Sequence, residues 1–203
     1  YVSFVTGITG NVGTQTYSYR VKGVLNALPT VAGAPGAFAF IGSAGSAQSN
    51  GICVYSTGAV NVISGGSLRY GTSAGFLSVG VPFDFTVSHI STGAWTITDN
   101  LTSTVVASGT YTNSNSWSSS LNNIGRLNSN TTHYLKADIE RIEVTGHTNA
   151  RIWDANLSGG TGNILPTTVG TNQGTLVNFT TVDADKWINY GGTAEKKKNK
   201  MFS

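Results

Sequence analysis

The stretch at 133–147, HYLKADIERIEVTGH, decides the fold. Leu135, Ala137 and Ile139 keep one period-2 phase, whereas Ile142 and Val144 keep the other. A helix could align Leu135, Ile139 and Ile142, but Thr145-Gly146 and the surrounding strand patterns argue against one. A strand with a bulge near Glu140-Arg141 returns all five apolar residues to the core side, because one extra residue switches the face of everything after it.

Outward from this stretch the alternation recurs from residue 16 to residue 154. In TYSYRVKGVL (16–25), Tyr17, Tyr19 and Val21 take one face, and Ser18, Arg20 and Lys22 take the other. Phe38 and Phe40 follow in AFAFIG, Ile52 and Val54 in GICVY, and Val60 and Val62 in AVNVIS. In PFDFTVSHI, Phe83, Phe85 and Val87 oppose Asp84, Thr86 and Ser88, and AWTITD pairs Trp95 with Ile97. Gly- and Ser-rich pieces such as VAGAPGA, SAGSAQSNG and two copies of STGA separate these runs and bend the chain. A parallel α/β fold needs crossover helices, and no helical pattern separates these runs. No fixed sequence period indicates a propeller or solenoid. The expectation is all-β: an antiparallel two-sheet jelly-roll sandwich over residues 1–150, with a C-terminal extension. That extension reads as an arm at 151–193, packed on the same or a neighbouring domain, and a basic mobile tail at 194–203. In the arm, Trp153, Leu165, Leu176, Phe179 and Trp187 are among the apolar residues expected to be docked.

Composition narrows the function classes. Charged residues are 10% of the 203, and apolar residues are 39%, too many for a disordered chain. The surface must therefore be built largely from Ser, Thr, Asn and Gly. The basic pI of 9.0 misleads. Lys196, Lys197, Lys198 and Lys200 lie in the tail, and residues 1–194 hold eight Lys/Arg and eight Asp/Glu. A neutral body does not suit nucleic-acid binding, which needs basic residues on the folded face. Cys53 is the sole cysteine, so no internal disulfide or thiolate metal cluster forms, and the residue reads as a small buried hydrophobe. The chain opens on Tyr1 with no charged leader and no apolar run near 18 residues. A processed chain or a fragment is expected, with no membrane span.

The run Leu135-x-Ala137-x-Ile139-x-x-Ile142-x-Val144, preceded by NNIGRL at 122–127, resembles the closing strands of concanavalin A-like (laminin G-like) jelly rolls. GAWTITDNLTSTVVASGTY at 93–111 is similar to the central hairpin of that family. RIWDANLSGGTGNILPTTVGTNQGTLVNF at 151–179 resembles a segment of phage-encoded and bacterial modules of the same superfamily, through Gly162, Leu165, Gly170, Asn172, Gly174, Thr175, Leu176 and Asn178. Thr167 stands where an Asp is usual, and the segment follows the jelly roll instead of introducing it. The resemblance implies a non-enzymatic virion surface protein, an attachment or decoration module, at a virion surface or otherwise extracellular. Its implied partners are other virion or surface subunits in an oligomer or repeated assembly, and a cell-surface glycan. A secreted bacterial carbohydrate-binding module or adhesin is the alternative, and a polysaccharide hydrolase or lyase is the alternative of another class.

Catalytic signals are sparse. The jelly-roll glucanases carry Glu-x-Asp-x-x-Glu, whereas DIERIE orders Asp138, Glu140 and Glu143 differently, and these read as solvent-facing charges on an outer strand. YLKADI echoes a strand of alginate lyases, but VSHI supplies His89 without the Gln and Arg that chemistry needs. His89, His133 and His147 are isolated, and Asp99-Asn100 reads as a turn, so no metal and no cofactor are expected. A sugar binder stacks pyranose faces on aromatic rings set among polar groups. The segment TYTNSNSWSSSLNNIGRLNSNTTHY at 110–134 offers Trp117, Tyr111, Arg126, Tyr134 and Asn130 for that role, while Trp95 and Trp153 read as core.

Overall fold

The computed structural model describes residues 2–4, 9–11, 16–30, 36–41, 50–64, 67–111, 116–118, 122–125, 135–146, 151–154, 164–165 and 174–176. Every regular element among them is a strand: β1 (Val2–Phe4), β2 (Thr9–Asn11), β3 (Tyr17–Ala27), β4 (Gly36–Ile41), β5 (Asn50–Val54), β6 (Val60–Ser64), β7 (Ser67–Gly71) and β8 (Pro82–His89). There follow β9 (Ala94–Asp99), β10 (Thr104–Thr110), β11 (Ser116–Ser118), β12 (Asn122–Ile124), β13 (Lys136–Thr145), β14 (Arg151–Asp154), β15 (Ile164–Leu165) and β16 (Gly174–Leu176). The described residues contain no helix long and apolar enough to cross a membrane.

Two antiparallel sheets face each other. One has the order β15-β16-β1-β12-β4-β5-β6-β7, the other β10-β9-β8-β3-β13-β14, and β11 pairs with β2 in a small third sheet. The architecture is the all-β sandwich that the alternation predicts. Strands of the 151–193 segment enter both main sheets: β14 pairs with β13, and β16 pairs with β1.

The core follows from the period-2 pattern. Tyr17, Tyr19 and Val21 of β3, Phe83, Phe85 and Val87 of β8, and Ile97 of β9 meet Phe38, Ile52, Val54, Val60 and Val62 of the other sheet. Cys53, one residue out of phase with Ile52, is buried apart from this core with Ile63 and Tyr55. Burial pushes its thiol well above the ordinary range, so it is an inert hydrophobe.

The bulge expected in β13 is present. Ile139 pairs with Gly23 and Arg141 with Lys22, so Glu140 is the extra residue, and Ala137, Ile139, Ile142 and Val144 are all buried. Gly146 then ends the strand at φ 81°, with a Cβ there meeting the Thr16 carbonyl oxygen. An L side chain would be both strained and obstructed at this position.

Candidate functional site

Two regions concentrate polar chemistry. The first is the outer face of the six-stranded sheet. Alternation turns Arg20, Lys22 and Asp84 away from the core, and the β13 bulge turns Glu140, Arg141 and Glu143 the same way. The Arg20 guanidinium donates to Asp84 through Nε at 2.9 Å and Nη2 at 2.7 Å. Asn100 adds its amide to Asp84 Oδ1 at 2.6 Å and to Thr86 Oγ1 at 3.0 Å. Lys22 pairs with Glu140, Arg141 with Glu143, and Asn26 donates to Asp138 at 2.8 Å.

These carboxylates differ from the sequence expectation. Asp138 is 5% exposed, and Glu140 and Glu143 are partly buried in ion pairs, so they are not solvent-facing. Nor is β13 an outer strand, since it lies between β3 and β14. The cause is the bulge, which brings Glu140 over Lys22 and sets Glu143 beside Arg141. Asp84 is only 6% exposed. Its burial raises the carboxyl pKa, but hydrogen bonds from Arg20 and Asn100 and the charges of Arg20 and Lys22 outweigh that and hold it below the ordinary value. A general acid needs the opposite shift.

The second region closes one end of the sandwich. Tyr17, His89, Trp95 and Gly109 form one transverse row across β3, β8, β9 and β10. His89, 1% exposed, stacks on Tyr17 with ring centroids 4.9 Å apart, and its Nε2 lies 3.1 Å from the Tyr111 carbonyl oxygen. That geometry fits a structural imidazole and not a solvent-accessible base. Trp95 lies against Gly109, where a Cβ would stand 2.8 Å from the ring. Tyr70 arrives from β7 of the opposite sheet and stacks on Trp95, with centroids 4.0 Å apart and planes 13° apart.

Burial pushes the Tyr17 phenol up to about 12, with a hydrogen bond to Tyr70 lowering it and Tyr111 raising it. Tyr70 is pushed higher still by burial. Neither phenol can serve as a base near neutral pH.

Tyr111, immediately after β10, is half-buried beside Tyr70, with ring centroids 6.2 Å apart. Arg69 sits over the Tyr111 ring, its guanidinium carbon 5.1 Å from the centroid. A second bulge places it there: Leu68 pairs with Ile63 and Tyr70 with Val62, leaving Arg69 as the extra residue of edge strand β7. The sequence reading missed Arg69, because SLRYG shows no local sign of the bulge.

Of the residues expected to bind a sugar, Tyr111 belongs to this end. Trp117 lies on β11, opposite Gly10 of β2. Both strands of that small sheet connect to the aromatic end, β2 leading to Tyr17 and β11 following Tyr111. Trp117 is six positions after Tyr111 in the chain, a reach of at most about 20 Å. Arg126, Asn130 and Tyr134 lie outside the described residues, as do His133 and His147. Trp95 packs against the core as expected, and the side chain of Trp153 is not described. The described residues contain no group of three His, Cys, Asp or Glu placed to hold a metal ion. Asp99 accepts the Leu101 N–H at 3.0 Å and the Thr102 hydroxyl at 2.8 Å, the bonding of a turn former.

No protein-family model matches the chain, and no curated protein does. Solved structures do. A "putative carbohydrate binding protein" from Bacteroides ovatus superposes with TM-score 0.61 at 13% identity, over 86% of this chain and 55% of that one. The chain thus spans about half the length of that protein. A heptameric SAP-like pentraxin from Limulus polyphemus gives TM-score 0.49 at 12% identity, over 70% of this chain and 68% of the other. The enzymatically active domain of bacteriophage CBA120 tailspike protein 2 gives 0.42 at 15%, over 67% and 23%. At such identities the first likeness establishes the fold alone, an antiparallel β-sandwich.

Proposed function

We propose that this chain is a non-enzymatic, glycan-binding surface module of the concanavalin A-like kind, serving as an attachment or decoration module of a virion. The observation that carries the glycan reading is the Arg69–Tyr111 pair, held at the end of the sandwich to which the Trp117 strand connects. Such an arrangement sets an exposed arginine beside an aromatic ring, residue types that sugar sites use. Trp117 and Tyr111 are the proposed stacking residues, with Arg126, Asn130 and Tyr134 of the same segment as further contacts. The paired state of Asp84, Glu140 and Glu143, and the raised phenols of Tyr17 and Tyr70, speak against catalysis.

The assembled setting draws support from β10. This edge strand, TVVASGT, carries no charge and exposes Val105 and Val106. An apolar, uncharged edge is a pairing hazard for a monomer and a ready contact within an assembly.

Glycan-array binding by the full chain, compared with Trp117→Ala and Tyr111→Ala, tests the reading. Binding that both variants weaken by about tenfold or more is expected, as for loss of an aromatic worth over 1 kcal/mol. Unchanged binding in both variants removes this site. Imaging of the native source separates a particle-borne module from a secreted one.

A further inference from the structure

We infer that the partner of the β10 edge is a second copy of this chain, paired strand to strand across a two-fold axis so that two six-stranded sheets run on as one. The inference rests on the assembly reading above and adds the identity and geometry of the partner.

Three observations lead to it. First, β10 is free of charge where its sheet is not. Each of the other five strands carries charged residues, among them Arg20 on β3, Asp84 on β8, Asp99 on β9, Glu140 on β13 and Arg151 on β14. The TVVASGT run of β10 carries none, so the strand can lie against its own copy without opposing like charges. Second, the edge is open. Among the described strands β10 pairs with β9 alone, and all of its residues except the half-buried Ala107 are exposed. A bulge makes Val106 the extra residue, and the consecutive Val105 and Val106 both reach the surface, 54% and 37% exposed. Third, the backbone beyond the bulge is regular. Ala107, Ser108, Gly109 and Thr110 pair in register with Ile97, Thr96, Trp95 and Ala94. Tyr111 donates its N–H to the Gly93 carbonyl oxygen at 2.7 Å. The backbone groups of a strand alternate sides, so Gly109 also turns to β9, and Ser108 and Thr110 turn their N–H and C=O groups to the open side.

An antiparallel copy presents the same two residues. With Ser108 of each copy opposite Thr110 of the other, each pair exchanges both backbone hydrogen bonds within the regular run, and the axis passes between the two Gly109 residues. Charge favours this direction. Asp99 pairs with Thr104, at the other end of β10, so the two-fold holds the two Asp99 residues about 30 Å apart, beyond the screening length. A parallel copy would bring both to one end.

The test is sedimentation of the full chain over a concentration series, which should show a reversible monomer–dimer equilibrium. Ser108→Pro removes an N–H that only the second copy uses, and Pro is tolerated on an edge strand at such a position. Val105→Lys sets a charge beside the contact. Each should weaken dimerisation by about tenfold or more and leave the thermal midpoint unchanged, as a lost backbone bond or an uncompensated interface charge does. Leu68→Lys, at an exposed position on β7 of the other sheet, should leave the dimer intact. A dimer that both β10 variants leave intact overturns the edge as the interface, and Val105→Lys alone decides this if Ser108→Pro does not fold. A chain that stays monomeric but is found in native particles overturns the second copy as partner and leaves the assembly reading standing. A chain that stays monomeric and is found only dispersed overturns both.

Discussion

Arg20 and Arg69 sit on different sheets and are held in opposite ways. On the outer face of the six-stranded sheet, Arg20 is closed by two hydrogen bonds to a buried carboxylate that also receives Asn100. At the aromatic end, Arg69 rests over a ring, on an edge strand, and is exposed. A satisfied ion pair to a buried carboxylate contributes to holding strands together and offers little to a ligand. A cation placed on a ring at an exposed edge contributes less to the fold. Substitutions in the first region should therefore cost stability, and those in the second should cost binding.

The largest effect is expected from Asp84→Ala. It removes the acceptor of both Arg20 bonds and of Asn100, and should cost about 2–3 kcal/mol. This is below the figure for a fully buried pair because Arg20 keeps partial water access. Urea unfolding measures it, and glycan affinity should not change. A loss of affinity without a loss of stability would erase the distinction between the two regions.

The same pair sets a pH dependence. Asp84 is held below its ordinary value of 3.8, so its contribution is fully present above that pH and is lost as pH falls through the lower folded-state value. The stability gap between the natural chain and Asp84→Asn should stay constant from neutrality down to about pH 5 and shrink below 3.8. A gap that widens in acid would reverse the assignment.

Gly109→Val comes next. A Cβ at 109 falls 2.8 Å from the Trp95 ring, so the ring must move, which should cost about 1–2 kcal/mol. Because Trp95 supports Tyr70, and Tyr70 adjoins Tyr111, glycan binding should fall as well, unlike the result for Asp84→Ala.

Smallest in stability is Val105→Lys, within about 0.5 kcal/mol because the side chain is already exposed. Its readout is self-association by light scattering or sedimentation, which the added edge charge should weaken if β10 pairs with a neighbour.

How far the sequence reaches differs between these regions. The strands of the six-stranded sheet were legible because period-2 alternation reports which side of a strand meets the core, and TYSYRVKG and PFDFTVSH follow it residue by residue. Even the β13 bulge was legible, since Ile139 and Ile142 cannot share a face without it. The outward partners were not. Nothing local tells Asp84 that Arg20, 64 residues earlier, will face it.

Sequence alone determined the class of fold, the inward residues of the central strands and the neutral body, because backbone period and residue polarity are local properties. Tertiary structure decided the rest: that Asp138 is buried, that His89 is locked between Tyr17 and the Tyr111 carbonyl, and that Arg69 lies over Tyr111. Arg69 is on β7 of one sheet and Tyr111 immediately follows β10 of the other, so they come together only when those sheets pack. Their contact depends on a pairing register between β6 and β7 that shifts by one residue, and no composition or spacing within SLRYG encodes that shift.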